Sequence, residues 1–116
     1  MLKEAYCSYE VSRLLKEKGM NKGYFTYYIQ KNNTDGTSEA VTTCTHQMAM
    51  AWLREVHNIF IVIEPHAYDY VNKKYSSYIV LLWQNDNYYK NPLKNDFPSY
   101  EETVEAALKY TLKNLI

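Results

Sequence analysis

The chain reads as an α+β domain of two layers, three helices over a small, mostly antiparallel sheet of three to four strands, in the order α-β-β-α-β-β-α. Three observations carry that expectation. Apolar residues recur at helical spacing in three separate stretches, within residues 11–15, 45–56 and 104–115. Between the second and third stand an unbroken apolar run, Ile59–Ile63, and an alternating segment, Tyr75–Gln84. At 116 residues and 47% hydrophobic types, the chain can close one core over 1–116 as a single domain, without a crosslink or a structural metal.

The first helix is expected from Tyr9 to Lys18. Ser8 suits the N-cap, and Val11, Leu14 and Leu15 form its apolar stripe. Gly19 offers the left-handed stop, with Met20 as the apolar residue that follows it. Tyr24–Gln30 reads as a strand, Phe25, Tyr27 and Ile29 on one face and Tyr24, Thr26 and Tyr28 on the other. Asp35-Gly36 marks a turn within Lys31–Ser38, and Ala40–Thr43 is a short partner strand.

The second helix spans His46–His57. Met48, Ala49, Trp52, Leu53 and Val56 follow Thr45 at helical spacing, and Thr45 doubles as N-cap. Asn58 suits its C-terminal stop. Ile59–Ile63 then has the composition of a strand covered on both faces, which Pro65 should end for want of an N–H. A wide loop, Pro65–Lys74, joins it to Tyr75–Gln84 as an antiparallel hairpin. Asn85–Pro98 reads as a long polar loop. Ser99-Tyr100-Glu101-Glu102 is a capping box that opens the third helix, whose stripe is Val104, Ala107, Leu108, Thr111, Leu112 and Leu115.

Charge excludes more than it suggests. Thirteen basic residues balance thirteen acidic ones, so no long-range field draws the chain to nucleic acid or to an anionic membrane. Residues 1–31 carry six basic and three acidic groups, an excess too small to mark a binding patch. No apolar run reaches the length of a membrane span, and the start, Met1-Leu2-Lys3-Glu4-Ala5-Tyr6, lacks the apolar core of a secretory signal. Cys7 and Cys44 are the only thiols, too few for a disulfide framework. A cytoplasmic protein is the expectation.

The constellations that could carry chemistry each have a plainer reading. Cys44-Thr45-His46 places a thiol and an imidazole at a helix start, where the dipole favours a thiolate. Sequence neighbours rarely face each other, however, and Cys44 reads more simply as a small, half-buried residue. His46 and His57 share one helix face, but eleven residues separate their backbones by about 16 Å, too far for one metal ion. Both read as facing solvent or satisfying nearby carbonyls. Glu101, Glu102 and Glu105 suit the positive end of a helix without any catalytic role. No catalytic residue, metal or cofactor is expected.

Three stretches resemble a family of small uncharacterised proteins from phages and mobile elements of gut Bacteroidetes. They are Ser8–Met20 (SYEVSRLLKEKGM), Gln47–Ile59 (QMAMAWLREVHNI) and Tyr100–Tyr110 (YEETVEAALKY). Members often have Pro where Cys44 stands, and a Pro-Cys pair where Lys22-Gly23 stands. The resemblance implies a phage or prophage accessory protein in the cytoplasm of a bacterial host. It brings no known activity with it.

Function is therefore sought in the thirteen tyrosines. Tyr is enriched in contact patches because its ring is apolar and its hydroxyl accepts a wet surroundings. Tyr68, Tyr70, Tyr88 and Tyr89, all expected in loops, are the hardest to explain as rings tiling a thin core. They are the expected interaction residues of a non-enzymatic module that binds a host or phage protein. The alternative is weak binding of single-stranded nucleic acid by stacking on surface tyrosines, which the absent basic excess disfavours. Oligomeric state is left open by these observations.

Overall fold

The structure, a computed structural model, describes residues 5–25 and 27–116. Met1–Glu4 and Thr26, the latter expected within the first strand, lie outside them. Among the described residues three helices and five strands follow one another in the order α-β-β-α-β-β-β-α. The α+β class stands, and the strands divide into two antiparallel sheets of two and three strands rather than one.

Helix α1 (Tyr9–Glu17) begins where Ser8 Oγ accepts the Val11 N–H at 3.2 Å. It ends in a Schellman motif. Met20 N–H donates to the Leu15 carbonyl and Gly19 N–H to that of Lys16, with Gly19 at φ 98°. The buried Met20 is the apolar contact that closes the motif.

The first strand arrives three residues later than its composition suggests. Asn21 holds a 3₁₀ turn at Lys22–Tyr24: its Oδ1 accepts the Gly23 N–H and its carbonyl that of Tyr24. Strand β1 (Tyr27–Asn32) therefore leaves Phe25 outside the ladder, buried under the Lys16 ammonium, which lies 4.9 Å from its ring centre. It pairs with β2 (Ser38–Thr43) from Tyr27 opposite Thr43 to Asn32 opposite Ser38. Asp35 Oδ1 accepts from both the N–H and the hydroxyl of Thr37, and Gly36 takes the left-handed corner at φ 87°.

Helix α2 (His46–His57) is capped by Thr45, whose Oγ1 accepts the Met48 N–H. Asn58, left-handed at φ 54°, stops it. Helix α3 (Tyr100–Asn114) starts at Ser99, whose Oγ accepts the Glu102 N–H. Both helices lie on one face of the larger sheet, α1 packs on α3, and β2 packs on α1.

The larger sheet comprises β3 (Ile59–Asp69), β4 (Lys74–Gln84) and β5 (Asn87–Lys90), with β4 central. Two expectations fail here. Pro65 does not end its strand, because β3 is an edge and tolerates a residue without an N–H. Tyr78, opposite Pro65, exchanges both its backbone bonds with Phe97 on its other side. By antiparallel alternation, the Pro65 nitrogen then faces the free edge of β3. A register shift just beyond Pro65 lets the strand continue to Asp69. The expected wide loop shrinks to a turn, so Tyr68 is a strand residue and Tyr70 opens the turn.

The second failure is the polar segment. A two-residue loop, Asn85-Asp86, with Asn85 left-handed at φ 56°, returns the chain as β5. Tyr88 and Tyr89 are thus ladder residues. Beyond β5 the chain rejoins the same side of β4 at Phe97.

Ile59, Ile61, Ile63, Val80 and Leu82 point from this sheet into one hydrophobic cluster with Leu53, Val104, Leu108 and Leu112. The opposite face is not matched by a second layer of helices. Phe60 opposes Trp83, which opposes Tyr88; Val62 opposes Leu81, which opposes Lys90. Ile59–Ile63, read from the sequence as covered on both faces, is covered on one. No helix among the described residues is long and apolar enough to cross a membrane.

Candidate functional site

The stretches that precede α1 and α2 run antiparallel. Tyr6 stands opposite Thr45, Cys7 N–H donates to the Cys44 carbonyl at 2.8 Å, and His46 N–H to that of Ala5 at 2.9 Å. This short bridge brings the starts of both helices together. Glu105, in the second turn of α3, ties them to the third. Its Oε1 accepts the Ser8 N–H at 2.7 Å and meets His46 Nε2 at 3.1 Å, while Oε2 accepts the Ser8 hydroxyl at 3.1 Å. Ser8 is fully used: its hydroxyl donates to Glu105 and accepts from Val11.

Partial burial pushes the Glu105 carboxyl up, but the bonds from His46 and Ser8 outweigh it and hold it below its ordinary range. It is therefore a carboxylate near neutral pH, and His46 must present a proton at Nε2. The ring is nine-tenths buried, its side chain 9% exposed. His46 thus meets a carboxylate rather than the solvent or nearby carbonyls expected, and Glu105 does more than complement a helix dipole.

Two clefts flank the ring, of about 330 Å³ and about 490 Å³, and His46 and Glu101 line both. Tyr100, Gln47 and Met50 continue the first, and Tyr6, Phe97 and Glu102 the second. Together they form one groove along the starts of α2 and α3.

The thiols sit behind this groove. Cys7 and Cys44 are 1% and 0% exposed, with their Sγ atoms 3.9 Å apart. Cys44, expected half-buried, is fully enclosed. The contact with Cys44, burial and the Glu105 carboxylate push the Cys7 thiol well above its ordinary range. The same contact pulls Cys44 down against burial. At most one of the two could lose its proton, and neither meets solvent, so the pair is not a nucleophile in waiting. Cys44 meets Cys7 rather than His46. His57, at the far end of α2, lies edge-on to Trp52 at 4.7 Å. Among the described residues no group of three or more His, Cys, Asp or Glu is arranged to hold a metal ion.

The four tyrosines expected as interaction residues fall in separate places on the larger sheet. Tyr68 opposes Tyr75, their ring centres 5.1 Å apart, and Tyr70 packs edge-on against Tyr68 at 4.9 Å. This cluster caps the far end of the β3–β4 hairpin. Tyr88 lies eight residues along β4 from it, roughly 27 Å at strand rise, and stacks on Trp83 at 4.6 Å. Alternation turns Tyr89 to the face that carries the helices, opposite Leu82. The outward residues that sequence reasoning missed are Phe60 and Val62, 43% and 45% exposed. Their signal was available in the alternation hidden inside the Ile59–Ile63 run. The His46–Glu105 pair carried no such signal, since fifty-nine residues separate its members. Comparison of the chain with protein-family models, with curated proteins and with solved structures finds no match in any of the three.

Proposed function

We propose that this chain is a non-enzymatic interaction module, a phage or mobile-element accessory protein of a bacterial cytoplasm that docks a protein partner on the outer face of β3, β4 and β5. The observation that supports this reading is the strip of Phe60, Val62, Leu81, Trp83 and Tyr88 on the face without helices. Phe60, Val62 and Tyr88 stand 43%, 45% and 49% exposed. Clustered apolar and aromatic residues on a surface cost solubility and are characteristic of sites where another surface covers them. Lys90 and Glu64 flank the strip with opposite charges, so no basic excess favours a phosphate backbone. A protein partner with apolar side chains is the better fit.

Affinity capture from host lysate with the wild-type chain and with Val62→Ser/Tyr88→Ala, both checked for retained fold by circular dichroism, tests the reading. The expected outcome is a partner recovered with the wild type and with Tyr68→Ala/Tyr70→Ala, and lost with Val62→Ser/Tyr88→Ala. Identical recovery with all three chains overturns it. Salt-sensitive binding of a single-stranded oligonucleotide, abolished by the same two substitutions, turns the reading toward nucleic acid.

A further inference from the structure

The outer strip of the larger sheet has a register that lets it match itself. Phe60, Trp83 and Tyr88 form one row across β3, β4 and β5, and Val62, Leu81 and Lys90 form the next. Glu64 stands one step further along β3, opposite Ile79. Because β4 is the central strand, Lys90 and Glu64 lie on opposite sides of it, at the same end of the strip. Neither forms an ion pair among the described residues. The strip thus carries an aromatic row, an aliphatic row and one unpaired charge of each sign, divided by its own midline.

A two-fold axis along β4 exchanges β3 with β5 and keeps each row level. Two copies related by it meet face to face, their sheets about 10 Å apart. Phe60 of each copy then lies over Tyr88 of the other, Trp83 over Trp83 and Leu81 over Leu81. Val62 is covered by the alkyl stem of Lys90 from the other copy. The ammonium at the end of that stem points to the Glu64 carboxylate. The step between their rows is about 7 Å at strand rise, within reach of two long side chains. Two-fold symmetry makes this contact twice. Face pairing also closes after two copies, whereas pairing along the free edge of β3, blunted by Pro65, would not.

We propose that the outer strip docks a second copy of this chain, forming an isologous dimer of two three-stranded sheets packed face to face. The inference rests on the reading of this strip as a contact surface and names its occupant. Three strands by three rows give a footprint of roughly 300 Å² at strand spacing and rise. A standard stable interface covers about 800 Å² on each partner. The dimer is therefore weak, and its population follows concentration.

Sedimentation equilibrium of the purified chain, from about 10 µM to about 1 mM, reads this dimer, with an expected dissociation constant of about 0.1 mM. Glu64→Lys and Lys90→Glu, each checked for retained fold by circular dichroism, should each weaken it at least about tenfold, since both opposed pairs become like charges. Mixed in equal amounts, the two variants should associate as well as the wild type, because each supplies the charge that the other lacks. A damaged fold in either variant could not produce that recovery. Val62→Ser/Tyr88→Ala should remain monomeric throughout. The dimer is overturned by a wild type that is monomeric at the highest concentration, or by one that Val62→Ser/Tyr88→Ala leaves intact. It is equally overturned by single charge variants that associate like the wild type, or whose mixture stays monomeric. A monomeric wild type that still captures a lysate protein through Val62 and Tyr88 overturns the dimer and keeps the strip as a docking face. A dimer of the expected behaviour, with nothing captured from lysate, keeps the second copy and overturns the foreign partner.

Discussion

On the Glu105 carboxylate, hydrogen bonds from two other chain segments converge, and the energetic weight of the residue follows from that. Glu105→Ala leaves the Ser8 N–H and hydroxyl and His46 Nε2 without their acceptor in a partly buried place. Each such loss costs about 1–3 kcal/mol before water repairs part of it. A net destabilisation of about 2–3 kcal/mol is expected, read from urea unfolding at neutral pH. The sign with pH is fixed by the lowered carboxyl. A group whose folded value lies below its unfolded one stabilises above the unfolded value, about 4.3. That stabilisation is lost as pH falls through the folded value. Between neutral pH and pH 3 the wild type should therefore lose more stability than Glu105→Gln, which has no proton to gain. A steeper acid loss in Glu105→Gln would contradict this account. At this scale little of the site was legible. Ser8, His46 and Glu105 were each noticed as helix-start residues, but nothing in their local sequence states that one carboxylate serves all three helices. That fact belongs to packing.

Elements were far more legible, because caps and periodicity are local. Ser8, Thr45 and Ser99 cap the helices they were expected to cap, and Gly19 and Asn58 stop them. The misses share one cause: strand limits depend on neighbours. Pro65 reads as a terminator on its own, yet on an edge its nitrogen faces away from the ladder and costs nothing. Asn-rich residues 85–98 read as a loop, yet an available edge on β4 recruited Asn87–Lys90. Pro65 has a further role in this position. An edge strand with free ladder groups invites pairing with another copy, and proline blunts it. Pro65→Val should leave the melting temperature close to that of wild type while raising self-association, seen as a larger species in light scattering at high protein concentration. An unchanged monomer fraction would show that the Pro65 position is idle.

At the scale of the whole molecule, one cluster holds helices and sheet together. Each fully buried Leu, Ile or Val in it stabilises by roughly 1.5–3 kcal/mol, and Leu15, Leu53, Ile59, Leu82, Leu108 and Leu112 all qualify. No metal group and no disulfide contributes among the described residues. The chain treated with chelator and reductant should therefore unfold in one cooperative transition, with calorimetric and van't Hoff enthalpies in agreement. A broad, probe-dependent transition would contradict it. The stripes Val11–Leu15, Thr45–Val56 and Val104–Leu115 made the class readable because each must bury an apolar side. What they could not say is that the first hairpin stays apart from the main sheet.

That separation has a consequence for engineering. The β1–β2 hairpin contributes little beyond Thr43 and the partly buried Ile29, Val41 and Thr42 to the interior, and its tip at Asn33–Thr37 is held by its own short-range bonds. Lengthening a surface loop by a few residues costs only about the logarithm of its size. A tag or a foreign epitope grafted between Asp35 and Gly36 should ride on the body of the protein without disturbing it. The chain thus offers a ready handle, on a sheet separate from the outer strip, for tethering the molecule to a surface or a label.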